Sequence, residues 1–198
     1  MALGTATDPY ELRFDTGRIC LDLIATTHPA ERLDSVDALR AWITGSGLVP
    51  PGTPLAHADP SWLSGFHELR AETARLVRSR PVPRNPRHAF ALALARVNEL
   101  ALAAPPAPRA VPGEDGALVR ELTGPPRCAA LLGALARDAV ELLTDPVARA
   151  GLRQCAGDNC PIVYVDTSRG RRRRWCSSEI CGNRERVARH RRRAALAR

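Results

Sequence analysis

The chain has 198 residues, 44% of them apolar, with eight aromatics and a net charge of +8 in which every basic side chain is arginine. That length suits one ordinary domain plus a small module, and the shortage of aromatics leaves Ala and Leu to pack a helical core. No apolar run reaches the roughly 18 residues of a membrane-spanning helix, and no basic-then-apolar leader is apparent, so a soluble cytoplasmic protein with no membrane partner is expected.

Residues 1–9 read as a loose leader. Residues 12–24 mix alternation with a turn signal at Thr16-Gly17, which predicts a short hairpin or a strand leading into a helix. Ser35 is placed to N-cap a helix in which Val36, Leu39, Trp42 and Ile43 share a face, with Gly45 and Gly47 ending it. After Pro50, Pro51 and Pro54, Asp59-Pro60 pairs a cap with the residue suited to the first helical position. The helix it opens carries Trp62, Leu63, Phe66, Leu69, Thr73, Leu76 and Val77 at spacings of three and four.

Pro81, Pro83 and Pro86 interrupt the chain, and Asn85-Pro86 opens a third helix with Phe90, Leu94, Val97 and Ala101 on one face. Residues 105–116 read as a linker or long surface loop, and residues 117–122 as a short strand. Pro125-Pro126 leads into a fourth helix bearing Leu131, Leu132, Leu135, Ala139, Leu142 and Leu143, and Asp145-Pro146 starts a short connector. The expected fold is mainly α: a small helical domain over residues 1–148, with room for one β-hairpin, and a second unit over residues 149–198.

That second unit is chemically distinct. It reads Cys155-x4-Cys160, fifteen residues, then Cys176-x4-Cys181. Two pairs of thiolates satisfy tetrahedral zinc with no open position, the pattern of one structural ion. Two disulfides are the alternative, disfavoured in a reducing compartment. Cys20 and Cys128 lie far away in sequence and read as buried thiols. The β-prone segment Pro161-Ile-Val-Tyr-Val-Asp166, a turn at residues 167–170 and a return over residues 171–175 predict a hairpin. Ser177-Ser178-Glu179 then reads as a helix start, giving a treble-clef-like order of knuckle, hairpin and helix.

Residues 151–198 carry 13 arginines against four acids, a net of +9, while residues 1–150 carry a net of −1. A GC-rich genome accounts for arginine in place of lysine but not for this clustering. A polyanion is therefore the expected partner of the module. Arg171, Arg172, Arg173, Arg174, Asn183, Arg184, Arg186, Arg189, Arg191, Arg192 and Arg193 are the candidate contacts, set in the hairpin and in a terminal helix that is polar nearly all round. A solvated, frayed tail is the plainer reading of that helix.

Cys181-Gly182-Asn183-Arg184 spells the motif that names the CGNR zinc fingers. The flanks agree: Arg153-x-Cys155, Cys160, Val165-Asp166, Arg173-Arg174-Trp175-Cys176-Ser177 and Arg186, where relatives often have Lys. The body resembles the ABATE domain of a family associated with stress-induced transcription regulation, through Phe14-x-x-Gly17, Cys20-Leu-Asp-Leu, Thr26, Leu39-x-Ala-Trp42 and Gly47-Leu48. The resemblance implies a bacterial zinc-containing regulator that binds duplex DNA, with Cys155, Cys160, Cys176 and Cys181 as ligands. Gly182 would permit close backbone approach. Asn183 would read an adenine edge or cap the local turn, and Arg184 would contact DNA or brace Asp166 or Glu185.

The leading expectation is a DNA-binding transcription regulator whose body senses a small effector or forms a homodimer. Trp42, Trp62, Phe66 and Arg70 are candidate walls of an effector pocket, or simply core. The alternative is a zinc-stabilised RNA- or protein-interaction module. No enzyme is expected: His28, His57, His67, His88 and His190 are dispersed, without a His-x-x-x-His, a phosphate loop or a nucleophile motif.

Overall fold

The computed structural model describes residues 12–79 and 88–196, and among these it holds seven α-helices and two antiparallel hairpins. In chain order the elements are α1 (Ile19–Ala25), α2 (Val36–Gly45), α3 (Pro60–Arg78), α4 (His88–Ala101), β1 (Pro108–Pro112), β2 (Leu118–Leu122), α5 (Cys128–Thr144), α6 (Pro146–Gly151), β3 (Leu152–Gln154), β4 (Val163–Val165) and α7 (Cys181–Leu196). The mainly helical architecture with a C-terminal hairpin-and-helix module is as expected. The leader at residues 1–9 and the Asn85-Pro86 helix start lie outside the described residues.

Local chemistry starts the long helices where the sequence signals them. Ser35 Oγ accepts from the Ala38 N–H at 3.1 Å to cap α2. Asp59 Oδ1 accepts from Ser61 N–H at 2.8 Å and Trp62 N–H at 3.4 Å, with Pro60 in the first helical position of α3. These caps satisfy amides that the helix itself leaves unpaired. The helices then close on one another through Leu39, Trp42 and Ile43 of α2, Trp62, Phe66, Leu69, Leu76 and Val77 of α3, and Leu131, Leu135, Ala139 and Leu142 of α5, all buried. Trp42 meets Phe66 edge-on at 6.0 Å between ring centroids.

Helix α1 is short and, Asp22 apart, apolar because it is enclosed. It packs against α3, α5 and β4, and six of its seven residues are buried. The preceding stretch forms no strand: residues 12–18 run extended and bend into α1. Asp22 fixes that bend, its Oδ1 accepting from the Thr16 N–H (3.1 Å) and the Thr16 hydroxyl (2.8 Å). Gly17 completes it at φ +89°, where a Cβ would stand 3.3 Å from the Val165 carbonyl oxygen.

Two expectations are corrected. Residues 105–116 are not wholly loop, because Pro108–Pro112 pairs with Leu118–Leu122, Val111 opposite Val119, around a turn with Gly116 at φ +80°. In α4 the buried side chains are Ala93 and Val97, while Leu94 is 40% exposed; the small Ala93 lets the helix lie close to its neighbours. Trp42, Phe66, Trp62 and Arg70 are all buried, which agrees with the plainer reading of them as core. Arg70 is held by Thr26 Oγ1 at 2.8 Å and by both oxygens of Glu31 at 2.7 and 2.6 Å, which pins the loop after α1 to α3.

The module is joined to the body through shared core and backbone hydrogen bonds. Leu152, Val163 and Val165 of the β3–β4 hairpin belong to the body's own hydrophobic cluster. The Val165 N–H donates to the Thr16 carbonyl at 2.8 Å, and the Asp166 N–H to the Gly151 carbonyl at 2.7 Å.

Burial pushes the Asp22 carboxyl up to about 6 from an ordinary 3.8, against the Thr16 hydrogen bonds that lower it. The native state therefore holds this proton more tightly than the unfolded chain between those two values. The contribution of Asp22 to stability is fully present below the lower value, falls as pH rises through the window and levels off above about 6, a loss on the order of 3 kcal/mol. Urea denaturation at pH 4, 5 and 6 is expected to show that slope in the wild type and its loss in Asp22→Asn, whose side-chain carbonyl still accepts from Thr16. A mutant with an undiminished slope would place the pH dependence elsewhere.

Candidate metal centre and the arginines around it

Cys155 and Cys160 flank a tight knuckle at the tip of the β3–β4 hairpin. The Cys155 N–H donates to the Ile162 carbonyl at 2.9 Å and the Cys160 N–H to the Gly157 carbonyl at 3.1 Å, with Asn159 in the left-handed region at φ 57°. Cys176 follows the arginine loop, and Cys181 is the first residue of α7. Between them Ser177 Oγ accepts from the Glu179 and Ile180 N–H groups, each at 3.2 Å, and the Ser177 carbonyl accepts from Gly182 N–H at 2.9 Å. Ser177 thus shapes the turn before α7, four residues ahead of the helix it was expected to start.

The four sulfurs lie within 4.8 Å of one another, all are buried, and none forms a disulfide. Cys176 Sγ is 3.7 Å from Cys160 Sγ and 3.5 Å from Cys181 Sγ. A tetrahedral zinc with Zn–S bonds near 2.3 Å requires sulfur–sulfur edges of about 3.8 Å. The donor set fits a closed structural zinc site, and the disulfide alternative is set aside. Cys155 Sγ accepts from the N–H groups of Gly157 (3.4 Å) and Cys176 (3.3 Å), and Cys176 Sγ from Arg13 Nη1 (3.3 Å).

These contacts divide the thiols without metal. The Cys160 hydrogen bond, opposed by burial and aided by Arg13, pulls Cys176 down to about 5, while burial and the neighbouring Cys176 charge push Cys181 up to about 12. One thiolate is stabilised while Cys160 and Cys181 keep their protons, so metal capture releases protons and weakens as pH falls.

The hairpin differs from the expected one. β4 pairs with β3, Arg153 opposite Tyr164, and residues 171–175 form no strand. The reason lies in side chains that occupy this segment's backbone groups. Asp166 Oδ2 accepts the Arg173 N–H at 3.0 Å, and the buried Tyr164 donates its hydroxyl to the Arg173 carbonyl at 2.6 Å. One knuckle contact remains, from Ala156 N–H to the Arg174 carbonyl at 2.8 Å.

The candidate contact residues fall into two groups. Arg173 turns inward: its guanidinium lies 4.5 Å from the Tyr164 ring centroid and donates to the carbonyls of Trp175 (2.9 Å), Asp15 (3.0 Å) and Cys176. Arg171, Arg172, Arg174, Asn183, Arg184, Arg186, Arg189, Arg191, Arg192 and Arg193 are exposed. Arg192 pairs with Glu185 at 2.9 Å, and Arg186 reaches the Ser178 carbonyl at 3.5 Å. Among the described residues, Arg184 pairs with neither Asp166 nor Glu185, and the Asn183 side chain caps nothing. A Cβ at Gly182 would make ordinary contacts at 3.5 Å or beyond, so close approach does not require glycine there. Arg13 and Tyr164 escaped the search for site residues, and Asp166, read there as a motif residue and a partner for Arg184, holds the Arg173 backbone instead. The Asp166-x-Ser168 pattern, whose carboxylate takes the Ser168 N–H at 3.0 Å, was the available signal for this role of Asp166.

Fold and site define a small helical protein closed by a four-cysteine zinc finger. The ABATE family, described as "Putative stress-induced transcription regulator", matches residues 17–146, and the CGNR zinc finger matches residues 152–194. The chain belongs to the ABATE family and carries a CGNR zinc finger at its C-terminal end. No curated protein matches it in sequence. No described helix is long and apolar enough to cross a membrane.

Metal analysis of the purified chain is expected to give one zinc per molecule. Cys176→Ser should abolish stoichiometric zinc, while Cys20→Ser and Cys128→Ser keep it. Full zinc in Cys176→Ser would mean that the four sulfurs are not the site.

Proposed function

We propose that the protein is a cytoplasmic transcription regulator that holds duplex DNA through residues 149–198, with residues 1–148 as its regulatory body. The observation that carries this reading is α7. It is an exposed, arginine-rich helix that packs extensively on no other element, and it begins at a zinc ligand.

At 3.6 residues per turn, Cys181, Glu185, Ala188 and Arg192 form the row nearest the finger. Cys181 is buried, and Glu185 and Ala188 are half-buried. The opposite row is Asn183, Val187, His190 and Ala194, with no charged arginine in it. Arg184 and Arg191 lie along one flank; Arg186, Arg189 and Arg193 lie along the other. An uncharged row between two cationic flanks suits a helix lying in a major groove about 12 Å wide. The flanks meet phosphates, and the centre faces base edges, where Asn183 has the geometry for adenine. Arg171, Arg172 and Arg174 extend the phosphate-facing surface from the loop.

The test is full-chain binding to a random-sequence duplex across a salt series. Six phosphate contacts should give a log–log slope of about −5, and Arg184→Ala with Arg193→Ala should reduce its magnitude by about 2. Asn183→Ala should leave the slope intact and relax the sequence preference of duplexes selected from a random pool. Structured RNA and polyglutamate at matched salt are the comparison ligands. Preference for RNA, or equal binding of polyglutamate, would overturn the proposal.

A further inference from the structure

We propose that Arg13, which lies outside both matched family regions, is an outer-sphere partner of the zinc site, holding the Cys176 thiolate from the body side of the molecule. The inference rests on the zinc site and is independent of DNA binding.

Zinc with four thiolates carries two net negative charges into a buried cluster, and outer-sphere hydrogen bonds decide how well such a charge is tolerated. Besides a backbone contact from Ile162 to Cys160, the sulfurs receive three close nitrogen donors among the described residues. Two are backbone amides, both on Cys155; the third is Arg13 Nη1 at 3.3 Å from Cys176 Sγ. Arg13 is thus the cation in hydrogen-bonding contact with the cluster, although residues 151–198 themselves carry 13 arginines.

Its place is built. The side chain is 13% exposed, and Nη2 is held by both oxygens of Asp15 at 3.0 Å. The Asp15 carbonyl in turn takes Arg173 Nη2 at 3.0 Å, and Arg173 also reaches the Cys176 carbonyl. Arg13 Nε stays buried without a hydrogen-bond partner, a cost that an ordinary surface arginine avoids by turning to water. The guanidinium remains against the sulfur instead. Arg13 is a positioning residue: it touches a ligand and not the metal, and it ties metal retention to the bend before α1.

The experiment uses the full chain loaded with metal. In a competing chelator, Arg13→Gln should hold zinc about 10-fold more weakly or worse, with Arg13→Lys recovering most of the loss. Equal retention by Arg13→Gln would overturn the proposal. A merely structural role predicts instead that Gln and Lys behave alike. Cadmium NMR of the loaded wild type supplies a second measurement that does not depend on the variants folding. Scalar coupling between the metal and an Arg13 guanidinium proton is expected across the N–H···S bond. Its absence in the folded wild type would equally overturn the inference.

Discussion

Four sulfurs brought within 4.8 Å of one another are the constraint on which the C-terminal quarter of the molecule depends. Left as thiols they would be a poor core. The buried cluster around them contains the four cysteines, Ile162, Tyr164 and Ala25 of the body, with Trp175 and Ile180 at its edge. So little apolar surface cannot order a segment of this length, and coordination to zinc, on the order of 10 kcal/mol for such sites, supplies what packing lacks. The knuckle meets the arginine loop through the Ala156 N–H and the Arg174 carbonyl, the loop meets the start of α7 through the Ser177 carbonyl and the Gly182 N–H, and the metal would lock all three together.

The hairpin that carries the first two ligands is a different case. One side of β3–β4 contributes Leu152, Val163 and Val165 to the helical core, and the other holds Tyr164 against the cysteines. Alternation along a strand puts these neighbours on opposite faces. Three residues of β4 therefore join two cores, and the bend at Thr16-Gly17, fixed by Asp22, supplies the backbone acceptor beside them. The finger is consequently a continuation of the body's fold, oriented by it.

This also explains what was legible in the sequence and what was not. The ligands, the zinc and the helix starts at Ser35 and Asp59 depend on residues close in the chain, where spacing reports geometry directly. The partner of β4 did not, because β3 is a three-residue strand with no alternation long enough to read, and residues 171–175 are claimed by the Asp166 and Tyr164 side chains. On α4, Phe90, Val97 and Ala101 pack on the core as read, and only Leu94 departs, because the small Ala93, a weak apolar signal, takes the closer position. Arg13 had no signal at all: it is 163 positions from the sulfur it meets, and only the folded chain brings them together.

The same separation clarifies the arginines. Composition treats all of them alike, and the charge split shows only that the module is cationic. In the structure two arginines face inward and hold the zinc loop. Arg13 meets a ligand sulfur, and Arg173 gathers the carbonyls around Cys176 while stacking on Tyr164. Neither belongs to the CGNR tetrapeptide. Asn183 and Arg184, which do, are exposed on the first turn of α7, free of the bracing and capping duties that offered the alternative account of them. With the internal charge of the centre met by Arg13, the arginines of the loop and helix need not turn back toward the sulfurs. They stand in solvent at the cost of mutual repulsion, and a polyanion that relieves this repulsion would bind without requiring the metal loop to rearrange.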